Sequence, residues 1–367
     1  ALLKLLSIAI YAIVVERVGA FSWDTKSPWV WVLAFFMYDF FYYWAHRSGH
    51  EVNLLWASHV VHHASEDFNL STALRQSSTN QVFYWLFYLP MAIVGIPVTV
   101  FVIIALISLV YQFWTHTQLV GKLGWADRVF ATPSNHRCHH GRNAYCLDRN
   151  YGGTLIIWDR LFGTYVAERD DEPVVYGSLV PLQSWNPLWG NLKNYVGIWR
   201  QVRSAQGWAN KLMRVFAPPG WGSADAAAPG LQPGAAFTRF DTPALKWQQV
   251  YGLLASAVIL GLLIHLLLAA PSLSVPQRAG YAALLVLHAV GMAWVFEGKR
   301  WALVFEVARA TLVFGALASG LWFGPVLPSA QLAALAVWAA SLLVLALARS
   351  ERSRLGPQLG APSSLSA

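Results

Sequence analysis

Apolar and polar stretches alternate along this chain on the scale of a membrane rather than of a soluble core. A helix needs about 20 apolar residues to cross a bilayer, and eight candidate spans can be read. Leu2–Val15 and Trp29–Ala45 are the first two. Val82–Thr115 is too long for one span and carries Pro90, Gly95 and Pro97 near its middle. Proline breaks the helical hydrogen-bond ladder, so this stretch predicts two short helices in a hairpin. Val250–Ala270, Ala279–Phe296, Ala302–Phe323 and Leu332–Ala348 complete the set. The expected fold class is all-α integral membrane, with a histidine-rich cap outside the spans. Residues 1–217 then form one membrane domain of four spans plus cap, and 248–349 a second four-helix region. Between them, 218–247 is rich in Ala, Gly and Pro and reads as a linker, and 350–367 reads as a disordered tail.

Composition agrees with this pattern. Of 367 residues, 56% are hydrophobic and only 12% charged, whereas a soluble domain carries about 25% charged residues. The 19 Trp, 14 Tyr and 19 Phe suit interfacial aromatic belts. A net charge of +8 is better matched to anionic headgroups than to nucleic acid in a chain this apolar. Placing the His-rich loops in the cytoplasm puts 21 of the 26 Lys and Arg on that side, as the positive-inside rule requires. The predicted localisation is therefore a multi-pass membrane protein with its polar cap cytoplasmic. Trp185, Trp189, Trp199, Arg200 and Arg203 in the long polar region suggest helices lying on the headgroups. Cys138 and Cys146, on the cytoplasmic side, are expected as thiols.

Chemistry concentrates in one place. Nine of 11 His fall between residues 46 and 140. His46 and His50 form H-x-x-x-H, His59, His62 and His63 form H-x-x-H-H, and His136, His139 and His140 repeat that spacing. His116 stands alone after the hairpin. Residues three and four apart share a helix face, so each box aims imidazoles at one point. A lone His on an apolar face is usually a satisfied core residue, the expected case for His265 and His288. Three crowded boxes without matching carboxylates instead require a cation. Imidazole suits Fe, Zn, Cu or Ni. A hydrolytic zinc site needs about three protein ligands, and nine exceed that. Two irons fit the number better.

The order of the boxes over roughly residues 30–180 resembles the fatty acid hydroxylase superfamily, which includes sterol desaturases. The flanking stretches AHRSGHEVNLLWASHVVHHASEDFNLSTALRQS and TPSNHRCHHGRNAYCLDRNYGGTLIIWDRLFGTY are similar to its glyceryl-ether-cleaving members. That resemblance implies an oxidoreductase with a di-iron centre held by His46, His50, His59, His62, His63, His116, His136, His139 and His140. It further implies O₂ as oxidant, a membrane lipid as substrate, and tetrahydrobiopterin or another tetrahydropterin as separate electron donor. Position 135 departs from the ether-cleaving pattern, with Asn135 where those members carry a second His. A hydroxylase or desaturase of a sterol, fatty acyl chain or ornithine lipid, fed by a ferredoxin-like donor, is the competing reading within the superfamily. A metal transporter or sensor is the reading from another class, disfavoured because its ligands should line a path at mid-bilayer.

Three further residues are candidates around the metals. Asp39 lies seven residues before His46 on the same helical face, where a buried acid is expected to orient a ligand His. Glu51 follows His50 and matches an H-E pair of the ether-cleaving members. Asn135 completes the set. Asp148 and Asn150 lie in a turn-like segment and are expected as turn residues. Glu306 and Arg309, three apart in a span, are expected to pair. The R-N-Y-G-G stretch lacks G-x-G-x-x-G and does not read as a nucleotide loop.

Overall fold

The computed structural model describes residues 2–222 and 237–319, together with positions 336, 339 and 343. It divides into two compact units, Ala1–Leu182 with Asn191–Phe240, and Gln183–Gly190 with Asp241–Ala367. Described residues form helices and turns, with isolated bridges but no named strand. Apart from those three positions, the expected span Leu332–Ala348, the middle of the linker and the tail lie outside the described residues.

In the first unit, α1 (Leu2–Val18) and α2 (Pro28–Glu51) are followed by α3 (Asn53–His63) and the short α4 (Leu70–Leu74). The predicted hairpin appears as α5 (Leu89–Val94) and α6 (Val98–Trp114). Its break follows from the sequence: Gly95 ends α5 in the left-handed region at φ 89°, and Pro97 begins α6. A side chain at Gly95 would collide with the Phe21 carbonyl at 2.1 Å. The turn is locked to α1 and α2 through a cluster of Tyr11, Val30, Ala34, Met91, Ile96, Val100 and Ile104. Tyr11 Oη donates to the Ile96 carbonyl (3.0 Å) and its ring stacks on Phe101 at 4.1 Å. This apolar bundle packs on the N-terminal half of α2, whose other end carries His46 and His50.

The cap of the unit is built from α7 (Pro133–His139), α8 (Ile157–Phe162), the part of α9 (Pro187–Ser204) from Asn191 onward, and α10 (Trp208–Phe216). Helix α7 is only seven residues long, so local bonds must hold it. Asn135 Oδ1 accepts from the Thr132 amide (3.1 Å) and hydroxyl (3.0 Å), and Pro133 presets the first turn. Arg137 ties the same helix outward. It makes two bonds to Glu168 (2.7 and 2.6 Å) and donates to the carbonyls of Thr117 and Val120 just after His116.

The second unit holds α11 (Lys246–Ala269), α12 (Val275–Phe296) and α13 (Ala302–Ala318). Lys246–Ser272 and Val275–Phe296 are long and apolar enough to cross a membrane. Leu253, Leu260, Leu267 and Leu268 of α11 are all more than half exposed, a surface suited to lipid rather than water. Glu306 and Arg309 pair in two bonds, and Arg309 also meets His288 Nδ1. His265 Nδ1 bonds Tyr281 Oη at 2.8 Å. The lone histidines of these helices thus have ordinary partners, as expected.

Candidate metal centre

The nine histidines of the boxes converge, and each is only 3–6% exposed. They arrive from four directions: the last two turns of α2, the last two turns of α3, the second residue after α6, and α7 with its C-cap. They sort into two groups. His46, His50, His59, His63 and His139 bring five nitrogens together, and His62, His116, His136 and His140 bring four. Within each group the candidate ligand atoms lie within 4.8 Å of one another. Each box therefore divides its members between groups, except H-x-x-x-H, which serves the first alone.

Ring orientation is set by backbone carbonyls. His46 Nδ1 donates to the Tyr151 carbonyl (2.8 Å), His139 Nδ1 to Arg149 (2.9 Å), His116 Nδ1 to Gln112 (2.8 Å) and His62 Nδ1 to Arg75 (3.3 Å). A neutral ring with its proton on Nδ1 presents a bare lone pair at Nε2. Yet His62 Nε2 and His116 Nε2 face each other at 3.2 Å. Two acceptors cannot hydrogen-bond each other. Burial pushes both groups toward the neutral form, His62, with the adjacent His116 adding to the effect, down to about 3 and His116 to about 4. A shared cation resolves the conflict: nitrogens at right angles around a metal with bonds of about 2.1 Å sit about 3.0 Å apart. The other Nε2 pairs, His46–His59, His59–His63, His116–His136 and His136–His140, lie at 2.9 to 3.2 Å. His50 Nε2 and His139 Nε2 are buried with no hydrogen-bond partner. The donor set thus fits two metal ions.

The neutral forms have a pH consequence. Burial holds His59, His63, His136, His139 and His140 well below the usual imidazole range too. Above about pH 6.5 these rings are neutral folded or unfolded. Below it the unfolded chain takes up protons first, so stability falls until the folded rings titrate. Metal release follows the same direction, because protons compete for ligand nitrogens. Metal content and thermal stability are expected to hold between pH 7 and 8 and to drop below about pH 6. Dialysis at stepped pH with metal analysis checks this, and constant occupancy down to pH 4 would contradict it.

The three candidates outside the boxes sit elsewhere. Asp39 was expected to orient a histidine, and it does not. Its carboxylate accepts from the amides of Thr154 (2.8 Å) and Leu155 (3.0 Å) and from Trp158 Nε1 (2.9 Å). It holds the loop whose Tyr151 carbonyl orients His46, so its support acts at one remove. Asp159 holds the same loop, accepting from the amides of Tyr151 and Gly152 and from the Thr164 hydroxyl, all at 2.7 Å. Burial raises this acid to about 6 despite those bonds. Glu51 bonds Arg47 at 2.9 Å, is partly exposed and belongs to neither nitrogen group. Asn135 caps α7 rather than meeting a histidine. Asn150, at φ 58°, clamps the carbonyls of Asn135 and Val166, while Asp148 Oδ1 lies 3.5 Å from His50 Nδ1.

Aromatic rings wall the nitrogens. Trp56 packs on His50 and His63, Tyr151 on His46, His50 and His139, and Phe68 stacks between His116 and Tyr176. Gly49 allows Tyr84 to approach, since a side chain there would meet its hydroxyl at 2.0 Å.

Residues 31–164, which contain all nine histidines, match the fatty acid hydroxylase family. This stretch of the chain is similar to a fatty acid hydroxylase domain. Over 284 residues, 75% of the chain, it is 43% identical to the alkylglycerol monooxygenase of Xenopus tropicalis and covers 62% of that protein. It is 46% identical to the Homo sapiens alkylglycerol monooxygenase over 212 residues, 58% of the chain and 47% of the relative. An ornithine lipid hydroxylase of Rhizobium tropici is 32% identical over 153 residues, 39% of the chain and 44% of the relative. The chain therefore spans about half the length of most curated relatives it matches. No solved structure matches it significantly. The hydroxylase domain and the helices long enough to cross a bilayer mark a membrane-associated protein.

Proposed function

We propose that this chain is an O₂-dependent di-iron monooxygenase that inserts one oxygen atom into a C–H bond of a membrane lipid. The observation that carries the reading is the pair of bare His62 and His116 nitrogens facing at 3.2 Å in a buried site. In this reading His46, His50, His59, His63 and His139 hold one iron, and His62, His116, His136 and His140 the other. The irons supply the redox chemistry that activates O₂, which zinc cannot. The chain's own residues keep the rings neutral, fix their tautomers through backbone carbonyls and exclude water with Trp56, Phe68 and Tyr176. Electrons come from a separate donor, a tetrahydropterin in the favoured form and a ferredoxin-like protein in the other. Glu51 and Arg47, on the outer turn of α2 beside His50, are the groups such a donor meets first. The chain crosses the membrane eight times with its metal site on the cytoplasmic side, as the Lys and Arg distribution supports.

The favoured substrate is a glyceryl ether, supported by relatives named alkylglycerol monooxygenase. Hydroxylation of the carbon next to the ether oxygen gives a hemiacetal, which collapses to a fatty aldehyde and a glycerol. Asn135 supports a second reading, because the ether-cleaving members carry His there, and the Rhizobium tropici relative supplies its substrate class, an ornithine lipid. Membranes from cells expressing the chain, supplied with an alkylglycerol and tetrahydropterin, are expected to consume O₂ and release fatty aldehyde. Hydroxylated ornithine lipid or acyl chains without aldehyde would favour the second reading. No oxygenated lipid of any class would overturn both.

A further inference from the structure

Helix α10 is turned inside out for a water-soluble surface. Its apolar side chains Trp208, Leu212 and Phe216 recur every four residues and so share one side. They are 80%, 55% and 57% exposed, with Met213 beside them at 40%. None of the nine residues is buried. The less exposed positions include the two cations, Lys211 and Arg214. An amphipathic helix on a soluble body shows the reverse, burying its apolar stripe and solvating its charges.

Lys211 borders the stripe in a way that fits phospholipid, while Arg214 donates to the Trp221 carbonyl at 2.6 Å. Lys211 Nζ sits 5.3 Å from the Trp208 ring and the Arg214 guanidinium 5.4 Å from Trp221. On α9, exposed Trp199 carries Arg203 at 5.8 Å. Tryptophan paired with cation is the side-chain chemistry of the headgroup layer, where the ring meets acyl carbon and the cation meets phosphate.

The helix is also joined to the metal-bearing cap. Asn53, the first residue of α3, donates from its amide to the Ala217 carbonyl (3.0 Å) and from Nδ2 to the Arg214 carbonyl (2.8 Å). The C-terminal carbonyls of α10 thereby satisfy donors at the start of the helix that carries His59, His62 and His63. We propose that α10 lies in the headgroup plane of the bilayer, its Trp208–Leu212–Phe216 stripe in the acyl boundary and Lys211 on phosphate, and holds α3 at that depth. This placement does not depend on which metal or substrate the site takes.

A thiol scan of the full chain in phospholipid nanodiscs tests it. Both native cysteines are buried, so a fluorophore is directed to Leu212→Cys, Phe216→Cys or Asn210→Cys, with the unsubstituted chain as the blank. All three positions are exposed, so the substitutions leave the core intact. Lipid brominated near the headgroup is expected to quench the labels at 212 and 216 at least about twofold more than the label at 210. Aqueous iodide should show the opposite order. Strong iodide quenching at 212 and 216 would place the stripe in water and overturn the proposal. Shielding of both positions from lipid and iodide alike would mean that protein covers the stripe, and overturns it equally.

Discussion

His59→Ala is expected to lower activity by at least about 100-fold and to reduce bound metal from about two ions per chain to about one. His59 is the hub of the five-nitrogen group. Its Nε2 lies 3.0 Å from that of His46 and 3.2 Å from that of His63. Truncation removes that nitrogen and opens a cavity in a buried site, while the other group keeps all four of its members. His116→Ala acts on the second group, where three nitrogens remain. The same loss of one ion is expected there. His265→Ala is the control, because its ring bonds Tyr281 far along the chain, and it should leave metal content unchanged. Metal analysis and lipid turnover on the three variants decide the matter. Full activity in His59→Ala, or equal metal loss in His265→Ala, would break the assignment of groups.

The second large effect is expected at Asp159, which no histidine touches. Replacing it by Ala strips acceptors from the buried amides of Tyr151 and Gly152 and from the Thr164 hydroxyl. An unsatisfied buried donor costs about 1–3 kcal/mol, so a destabilisation on the order of 2–5 kcal/mol is expected. The Tyr151 carbonyl then loses its fixed position, and with it the 2.8 Å bond that sets the tautomer of His46. Metal affinity should fall about 10–100-fold even in Asp159→Asn, which keeps the volume and one acceptor. A purely structural role would weaken thermal stability in both variants and leave the metal affinity of folded Asp159→Asn unchanged. Titration with iron under anaerobic conditions separates the two outcomes.

The comparison of Asp39 with Asp159 shows what the chain made legible. Asp39 stood out because it is an acid inside an apolar helix, on the face of His46. Helical periodicity gave its direction but could not name a partner more than a hundred residues away, and that partner proved to be the Thr154–Leu155 backbone. The hairpin break was readable because Pro90, Gly95 and Pro97 have strong local backbone preferences, and Gly95 is where the turn falls. The convergence of the eight box imidazoles was readable from spacing, and that of the isolated His116 only from the family resemblance. Their division into five and four was not, since H-x-x-H-H does not say which of its rings turns to which neighbour. The carbonyls of Tyr151, Arg149, Gln112 and Arg75 that hold the rings carry no side-chain signature. One signal pointed near them: Asp148, Asn150 and the paired glycines mark a loop with unusual backbone geometry, borne out by left-handed Asp148 and Asn150. Arg137 occupies a spacer position of the third box, yet its bonds to Glu168, Thr117 and Val120 fix α7 beside His116.

Everything proposed for catalysis rests on the two nitrogen groups holding two metal ions. The most direct test is the metal content of the full chain purified in detergent after iron-replete expression, with X-ray absorption at the iron edge. The expected result is about two irons per chain with a first shell of nitrogen donors at roughly 2.1 Å. Fewer than one metal ion per chain, or a first shell dominated by sulfur or carboxylate oxygen, would contradict it.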